Sequence, residues 1–192
     1  MGSESLTLGF DTSAAHCAAA LLSGGDVLAC RAEEMARGQA ERLMPLLEEV
    51  LAEGGATWRD LDRIGVGIGP GNFTGIRISV AAARGLALSL DISAIGISNF
   101  DVIRAGGTGG TPVVPAPRSM VHVAPQGARP VLVSASGVPD PAGPPAPSEM
   151  ARRIALLARA APADAPPPAP LYARPADAAP ARDTPPVILD DA

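Results

Sequence analysis

The sequence predicts an α/β fold whose first 104 residues follow the element order β-β-β-α-β-α-β. Apolar and polar residues alternate near the N-terminus and on both sides of a Gly-Gly pair, which indicates three antiparallel strands. Two stretches with apolar residues at helical spacing follow, separated by a β-branched run. Composition then changes, because residues 1–105 contain only Pro45 and Pro70 of the chain's 21 prolines. We therefore predict one domain over residues 1–104 and a reduced, Pro-rich second domain over residues 105–192.

The first three strands are predicted from residues 6–11 and from a hairpin around a Ser-Gly-Gly turn. A two-residue turn would place Ala19 opposite Cys30, with Cys17 on the same side of the sheet. We interpret the cysteines as small buried residues, since two are too few for a disulfide scaffold.

Two helices and two further strands complete the first domain. Residues 39–53 carry leucines at helical spacing and contain Pro45, and residues 74–90 form a second, Ala-rich helix. Strands are predicted over residues 63–68 and 92–97. Antiparallel strands followed by strands that helices connect form the ribonuclease-H-like arrangement, which actin-like ATPase domains share.

The most distinctive motif is the glycine-rich run from Gly65 to Arg77, which joins a strand to a helix. Such a loop allows close backbone approach and directs N–H groups outward from a helix start. Three interpretations remain open: a tight turn, contact with an anion or nucleotide, or contact with a partner. A phosphate-binding loop of the Walker type needs a lysine, and the chain contains none.

The second part is predicted less completely. Short edge strands are expected near residues 111–116, 120–124 and 130–133, where prolines interrupt longer pairing. Residues 148–160 show helical periodicity, with Ser148 as the expected N-cap. The tail that follows is expected to be extended chain.

No pattern of catalytic residues is evident, and we expect neither catalytic residues nor metal ligands in this chain. Asp11 ends the first strand where ribonuclease-H-like nucleases hold a metal-binding carboxylate, but the later strands end in Gly69-Pro70 and Ser98-Asn99. His16 and His122 lack metal-ligand spacing, and His16 is interpreted as a strand residue. A nuclease or metalloprotease is therefore disfavoured.

Composition excludes other classes. The net charge of −5 disfavours a general nucleic-acid surface or an anionic-membrane anchor. No signal peptide or uninterrupted apolar span is expected, so we predict a soluble, cytoplasmic protein. Small residues surround the helix over residues 74–90, which implies that either a partner or the 39–53 helix covers it.

Several motifs resemble one family. In order along the chain they are Leu8-Gly-Phe-Asp-Thr-Ser13, Glu41-Arg-Leu-Met-Pro45, Gly67-Ile-Gly-Pro-Gly-Asn-Phe-Thr-Gly-Ile-Arg-Ile78, Ala83-Arg-Gly-Leu-Ala87 and Leu171-Tyr-Ala-Arg-Pro175. This series is similar to the bacterial TsaB (YeaZ) family of tRNA threonylcarbamoyladenosine biosynthesis proteins.

The resemblance implies an actin-like ATPase fold without its own catalytic site. It implies a noncatalytic scaffold that binds the transferase TsaD as a heterodimer and acts with the ATPase TsaE, with tRNA reached through the complex. ATP or ADP would bind, if at all, at the complex interface, and the chain alone would form a homodimer. The expected interface residues on the two helices are Leu43, Leu47, Gly75, Ser79, Ala82 and Ala83.

The expected nucleotide or loop contacts are Asp11, Thr12, Ser13, Gly69, Gly71 and Asn72. The chain departs from the family where Gly38-Gln39-Ala40-Glu41 replaces His-Ser-Glu and where residues 117–122 replace an Arg-rich segment. Two alternatives stay open. One is an ATP-binding enzyme of the actin or sugar-kinase class, and the other is an endopeptidase.

Overall fold

The computed structural model describes residues 4–107, 109–124, 129–162 and 164–173. The elements in these residues are β1 (Leu6–Asp11), β2 (His16–Ser23), β3 (Asp26–Glu34), α1 (Gln39–Glu53), β4 (Arg63–Gly67), α2 (Phe73–Leu90), β5 (Ser93–Ile97), α3 (Asn99–Arg104), β6 (Thr111–Ala116), β7 (Met120–Val123), β8 (Val131–Ser134), β9 (Pro141–Ala142) and α4 (Pro147–Ala160). The tail from residue 174, including the end of the Tyr-x-Arg-Pro motif, lies outside the described residues.

The strands form two sheets. The first has the order β3-β2-β1-β4-β5, with β1 antiparallel to β2 and parallel to β4, and β4 parallel to β5. This confirms the predicted ribonuclease-H-like, actin-like fold. The second sheet has the order β8-β7-β6-β9 and is built from the Pro-rich part of the chain.

Helices cover both faces of the first sheet. On one face, α1 and α2 pack over alternate strand residues such as Leu8, Phe10 and Leu21, which are fully buried. On the opposite face, Ala151 and Ala155 of α4 pack on the intervening residues of β2. Because the two faces take alternate residues of each strand, β2 is apolar almost throughout.

Two strand glycines bring α4 close to the sheet. A Cβ at Gly9 would lie 2.6 Å from the Ala151 carbonyl oxygen, and a Cβ at Gly65 would lie 2.7 Å from the Ala158 Cβ. Atoms cannot approach that closely, so only glycine permits this packing distance. The guanidinium of Arg63 fixes the end of the same helix, since Nη1 donates to the Ala158 carbonyl at 2.9 Å.

This packing places α4 on the first sheet, although its sequence belongs to the second part of the chain. The helix contacts the first sheet through β1, β2, β3, β4 and β5. The domain boundary at residue 104 stays a prediction. Helix α4 follows this boundary in the sequence, yet it packs on the sheet that is formed before it.

The predicted hairpin register is wrong by one residue. Ala20, not Ala19, lies opposite Cys30, because a bulge shifts the pairing between Leu21 and Leu22. The shift turns Cys30 toward α4, whereas Cys17 lies in the core on the α1 face. Both cysteines are free, and burial raises the pKa of Cys17 to about 11, so it is a poor nucleophile at neutral pH.

The start of α4 also differs from the prediction. The N-cap is Ala146 and Pro147 occupies the first turn, so Ser148 lies inside the helix and does not cap it. Proline is favoured there because the first helical N–H has no intrahelical acceptor. The short strand β9 was not predicted.

A carboxylate in the first turn of α4 provides a pH-dependent contribution to stability. Glu149 accepts hydrogen bonds from Arg152 Nε at 2.6 Å and from Arg153 Nε at 2.6 Å. The bonds from Arg152, opposed by burial and aided by Arg153, lower the pKa of Glu149 from 4.5 to about 2. This stabilisation is complete above pH 4.5 and is lost as the pH falls toward 2.

We therefore expect Glu149→Gln to lower the free energy of unfolding by about 1 kcal/mol at neutral pH. The difference from the native chain should shrink as the pH is lowered from 7 to 3, as measured by urea denaturation. Glu48→Gln, at an exposed position of α1, is the matched control and should have little effect. A deficit that does not change with pH would contradict the assignment.

Candidate functional site

A cleft of about 440 Å³ lies where the carboxyl ends of the central strands of the first sheet face the second sheet. We call it the inter-sheet cleft. One wall comes from the connection after β1 and from the starts of β2, α2 and α3. The other comes from β6 and from the segment that leads into α4. Its lining includes Ser13, Ala14, His16, Asn72, Asn99, Pro115, Pro117, His122 and Met150.

A buried carboxylate organises the first wall. Asp11 is fully buried, and its Oδ2 accepts hydrogen bonds from the Ser13 backbone N–H at 2.9 Å, from Ser13 Oγ at 2.9 Å and from His16 Nε2 at 2.7 Å. Asn99 extends the network, because its Nδ2 donates to Ser13 Oγ at 3.0 Å and to the Pro70 carbonyl at 2.8 Å. The network holds β1, β2, the glycine loop and α3 in one arrangement.

The glycines of the loop allow it to pack closely against residues 11–13, which follow β1 or end it. A Cβ at Gly67 would overlap Asp11 Oδ1, and one at Gly71 or Gly75 would overlap the carbonyl oxygen of Ser13 or Thr12. The Asn72 backbone N–H donates to the Ser13 carbonyl at 2.6 Å. The loop therefore lies directly against the chain that follows β1.

The structure brings the predicted nucleotide or loop residues together, but chiefly in contact with one another. Ser13, Gly71 and Asn72 line the inter-sheet cleft. Asp11 and Thr12 are fully buried, and Thr12 Oγ1 donates to the Gly75 carbonyl at 2.7 Å. These contacts favour the tight-turn interpretation of the motif, and a nucleotide contact stays a hypothesis.

Sequence reasoning missed two residues of this wall. His16 was interpreted as an ordinary strand residue, and Asn99 only as a helix start. Both line the cleft and are nearly fully buried. The available signal was the short connection between the antiparallel strands β1 and β2, which turns His16 back beside Asp11.

The described lining residues do not fit a magnesium–nucleoside triphosphate. None of them is an arginine or a carboxylate, whereas bound polyphosphates are held by cations and metal-binding acids. Within the described part of the chain, no group of three or more His, Cys, Asp or Glu gathers as a metal site. Ser13 and His16 both donate to Asp11, so the serine is not activated by the histidine as in a peptidase triad.

The predicted partner-interface residues lie mostly in the packed interior of the chain. Leu43, Leu47 and Ala83 form part of the core against the first sheet, and Ser79 is fully buried. Gly75 is buried against Thr12, and Ala82 is half-buried. Burial of five of these six side chains favours a role in holding the monomer together, and their contact with a partner stays a prediction.

The same helix leaves another face open. Exposed residues recur along α2 at helical spacing and form what we call the outer stripe: Phe73, Arg77, Ala81, Arg84 and Leu88. Leu88 is 86% exposed. Among the described residues, α2 is the one helix that is long and apolar enough to cross a membrane by length and composition, and 33% of that span is buried here. Its inner face packs on the first sheet.

One end of the outer stripe is covered by the chain that follows α4. Arg77 lies over the ring of Phe73, 3.7 Å from its centroid, and its Nε donates to the Tyr172 hydroxyl at 2.8 Å. The ring centroids of Phe73 and Tyr172 are 5.1 Å apart. Leu171 anchors this segment through its backbone bond to the Ile68 carbonyl.

Sequence comparisons give a consistent group of relatives. The family model described as TsaD, tRNA N6-adenosine threonylcarbamoyltransferase, matches residues 31–124. The tRNA threonylcarbamoyladenosine biosynthesis protein TsaB of Escherichia coli is 34% identical over 99 residues, which cover 52% of this chain and 42% of that protein. TsaB of Haemophilus influenzae is 39% identical over 99 residues, covering 50% and 41%. This chain thus spans less than half the length of either relative.

Solved structures support the fold. A Pseudomonas aeruginosa protein described as similar to the peptidase YeaZ has a TM-score of 0.71 and 24% identity, covering 88% of this chain and 100% of that one. YeaZ from the same organism has a TM-score of 0.65 and 24% identity, covering 81% and 92%. The backbone arrangement described above is therefore shared with these proteins.

Proposed function

Because this chain is similar to TsaB proteins of tRNA threonylcarbamoyladenosine biosynthesis, we propose that it belongs to the TsaB (YeaZ) family and is a noncatalytic scaffold subunit in threonylcarbamoyladenosine synthesis. In this role it binds a TsaD-type transferase and, with it, the ATPase TsaE, and reaches tRNA through the complex. Such a function would place it in the cytoplasm.

The outer stripe of α2 is the observation that carries this proposal. Eight of the 18 residues of this apolar helix are exposed, and such a helix is stabilised when another surface covers its open face. The stripe combines Leu88 and Ala81 with two arginines, Arg77 and Arg84, and contains no carboxylate. A partner surface with apolar residues and acids would complement it.

The proposal also covers the isolated chain. Exposed positions of the neighbouring helix α1 include Met44, Glu41 and Glu48, so this helix is apolar and acidic where α2 is apolar and basic. Two copies related by a twofold axis could pair α1 of one with α2 of the other. We propose that this homodimer forms when the transferase is absent. When the transferase is present, the homodimer dissociates and each chain forms a heterodimer with it.

Calorimetric titration of the purified chain with a TsaD-type transferase tests the proposal. We expect saturation at one transferase per chain, and sedimentation should show that the complex replaces a dimer of this chain. The transferase titrated with an unrelated actin-like protein is the control. An absence of any complex at concentrations near 100 μM would contradict the scaffold role.

A further inference from the structure

Two of the chain's few aromatic side chains lie exposed at the start of the outer stripe. The chain has three Phe, one Tyr and one Trp, and of these Phe73 is 45% exposed and Tyr172 is 37% exposed. Arg77 lies between their rings. We call Phe73, Arg77 and Tyr172 the arginine cluster. Phenylalanine, tyrosine and arginine are enriched in the buried centres of protein–protein interfaces, so this exposed set indicates a contact surface.

The guanidinium of Arg77 is held in one orientation. Phe73 lies four residues earlier on the same face of α2, and its ring centroid is 3.7 Å from the central carbon of the guanidinium. On the other side, Nε donates to the Tyr172 hydroxyl at 2.8 Å. Because stacking and the hydrogen bond already order this long side chain, a ligand would lose less affinity to side-chain ordering.

Arg77 differs from the other ordered arginines in having no carboxylate beside it. Five arginines form ion pairs with acids of the same chain: Arg31, Arg42, Arg104, Arg152 and Arg153. Within the described residues, Nη1 and Nη2 of Arg77 make no hydrogen bond or ion pair. The side chain is exposed, so this end of the planar fork is accessible. Its two N–H groups match the two oxygens of a carboxylate.

Tyr172 is brought to Arg77 by the segment over residues 164–173, which packs along the first sheet. Pro168 of this segment is buried, and a Cβ at Gly96 of β5 would lie 3.2 Å from the Pro168 Cβ. The Leu171 backbone N–H donates to the Ile68 carbonyl at 2.8 Å, and its side chain packs against α3 and β6. The arginine cluster therefore forms only when the 164–173 segment is in place.

We propose that the arginine cluster binds a carboxylate of the partner protein, with Nη1 and Nη2 of Arg77 donating to its two oxygens. Tyr172 is the positioning residue, so the 164–173 segment belongs to the partner surface together with α2. This inference rests on the proposed scaffold function and narrows its interface to one contact. A protein carboxylate is favoured over an RNA phosphate, because the stripe continues into apolar Leu88 and the chain has a net charge of −5.

Titration calorimetry of the full chain with a TsaD-type transferase tests this contact. Arg77→Lys keeps the charge but cannot donate two parallel hydrogen bonds, so we expect affinity to fall at least about 10-fold. Arg59→Lys is the matched control, because Arg59 is an exposed arginine on the turn before β4. It should bind as the native chain does. Urea denaturation should show the same stability for both variants.

Tyr172→Phe separates positioning from packing. It keeps the ring beside Phe73 and removes the hydroxyl that accepts from Arg77, so affinity should fall about 3- to 10-fold. In the Arg77→Lys background the same change should cause no further loss, since Tyr172 acts through Arg77. A role for Tyr172 that is only structural would instead give additive losses of affinity and a lower stability.

The outcomes distinguish this inference from the scaffold role. If the native chain forms no complex, both are wrong. If the native complex forms and Arg77→Lys binds equally well, or if the losses from the two substitutions add, only the carboxylate contact is overturned. The contact is also overturned if Arg77→Lys leaves the transferase affinity unchanged and weakens binding to a tRNA anticodon stem-loop, which would assign the cluster to an RNA phosphate.

Discussion

Charge reversal on the outer stripe should separate this chain from the transferase. The double substitution Arg84→Glu and Leu88→Glu is expected to weaken the complex by about 100-fold or more. It removes the apolar side chain of Leu88 from the interface, and it places two carboxylates opposite a partner surface that is proposed to be acidic. Leu88 is 86% exposed and Arg84 is exposed, so the monomer should keep its stability. Titration calorimetry measures the affinity and urea denaturation the stability.

A control with the same charge change makes this result specific. Val27→Glu with Arg59→Glu also replaces an exposed apolar residue and an exposed arginine, but on β3 and on the turn before β4. This control pair should bind normally. Equal affinities of the two double variants would show that the outer stripe is not the contact surface.

Substitution of Gly9 should have the second large effect. A Cβ at this position would lie 2.6 Å from both the Ala151 carbonyl oxygen and the Ala155 backbone nitrogen. Because backbone atoms cannot move independently of their helix, α4 would have to shift away from the sheet. We expect Gly9→Ala to lower the free energy of unfolding by about 2–3 kcal/mol.

Gly25→Ala is the matched control, because a Cβ there would meet nothing within 4 Å. Its free energy of unfolding should stay within about 0.5 kcal/mol of the native value. If Gly9→Ala were equally neutral in chemical denaturation, the close approach of α4 to β1 would be incorrect.

The elements of the first 104 residues could be predicted from sequence because their local signals agree with their tertiary packing. The leucines of α1 form one buried stripe, and the glycine loop joins β4 to α2 where the pattern placed it. The strand register could not be read to the residue, since the bulge beside Leu21 arises from pairing between strands and leaves no local signal. That bulge alone moved Cys30 to the other face.

The position of α4 could not be predicted because an apolar stripe shows that a helix packs, and not on which surface. The complementary signal was present in Gly9 and Gly65, whose neighbouring positions on adjacent strands leave a groove. The signal behind the predicted partner interface is ambiguous for a related reason. Small residues such as Gly75 and Ala83 indicated close contact, and the contact is with the chain's own loop and sheet.

The candidate cleft was only partly visible in the sequence. Ser13 was identified from the Asp-Thr-Ser motif and Asn72 from the glycine run, whereas Asn99 reaches the same wall only because β5 ends beside β4. Its second wall is formed by a Pro-rich segment without strong periodicity, whose position depends on the second sheet.

Reconstituted tRNA modification tests the scaffold role most directly. Threonylcarbamoyladenosine formed on tRNA would be measured with the transferase and the ATPase, with and without this chain, and with this chain alone. We predict that omitting the chain reduces the product to background and that the chain alone forms none. Undiminished modification in its absence, or turnover by the chain alone, would contradict the account.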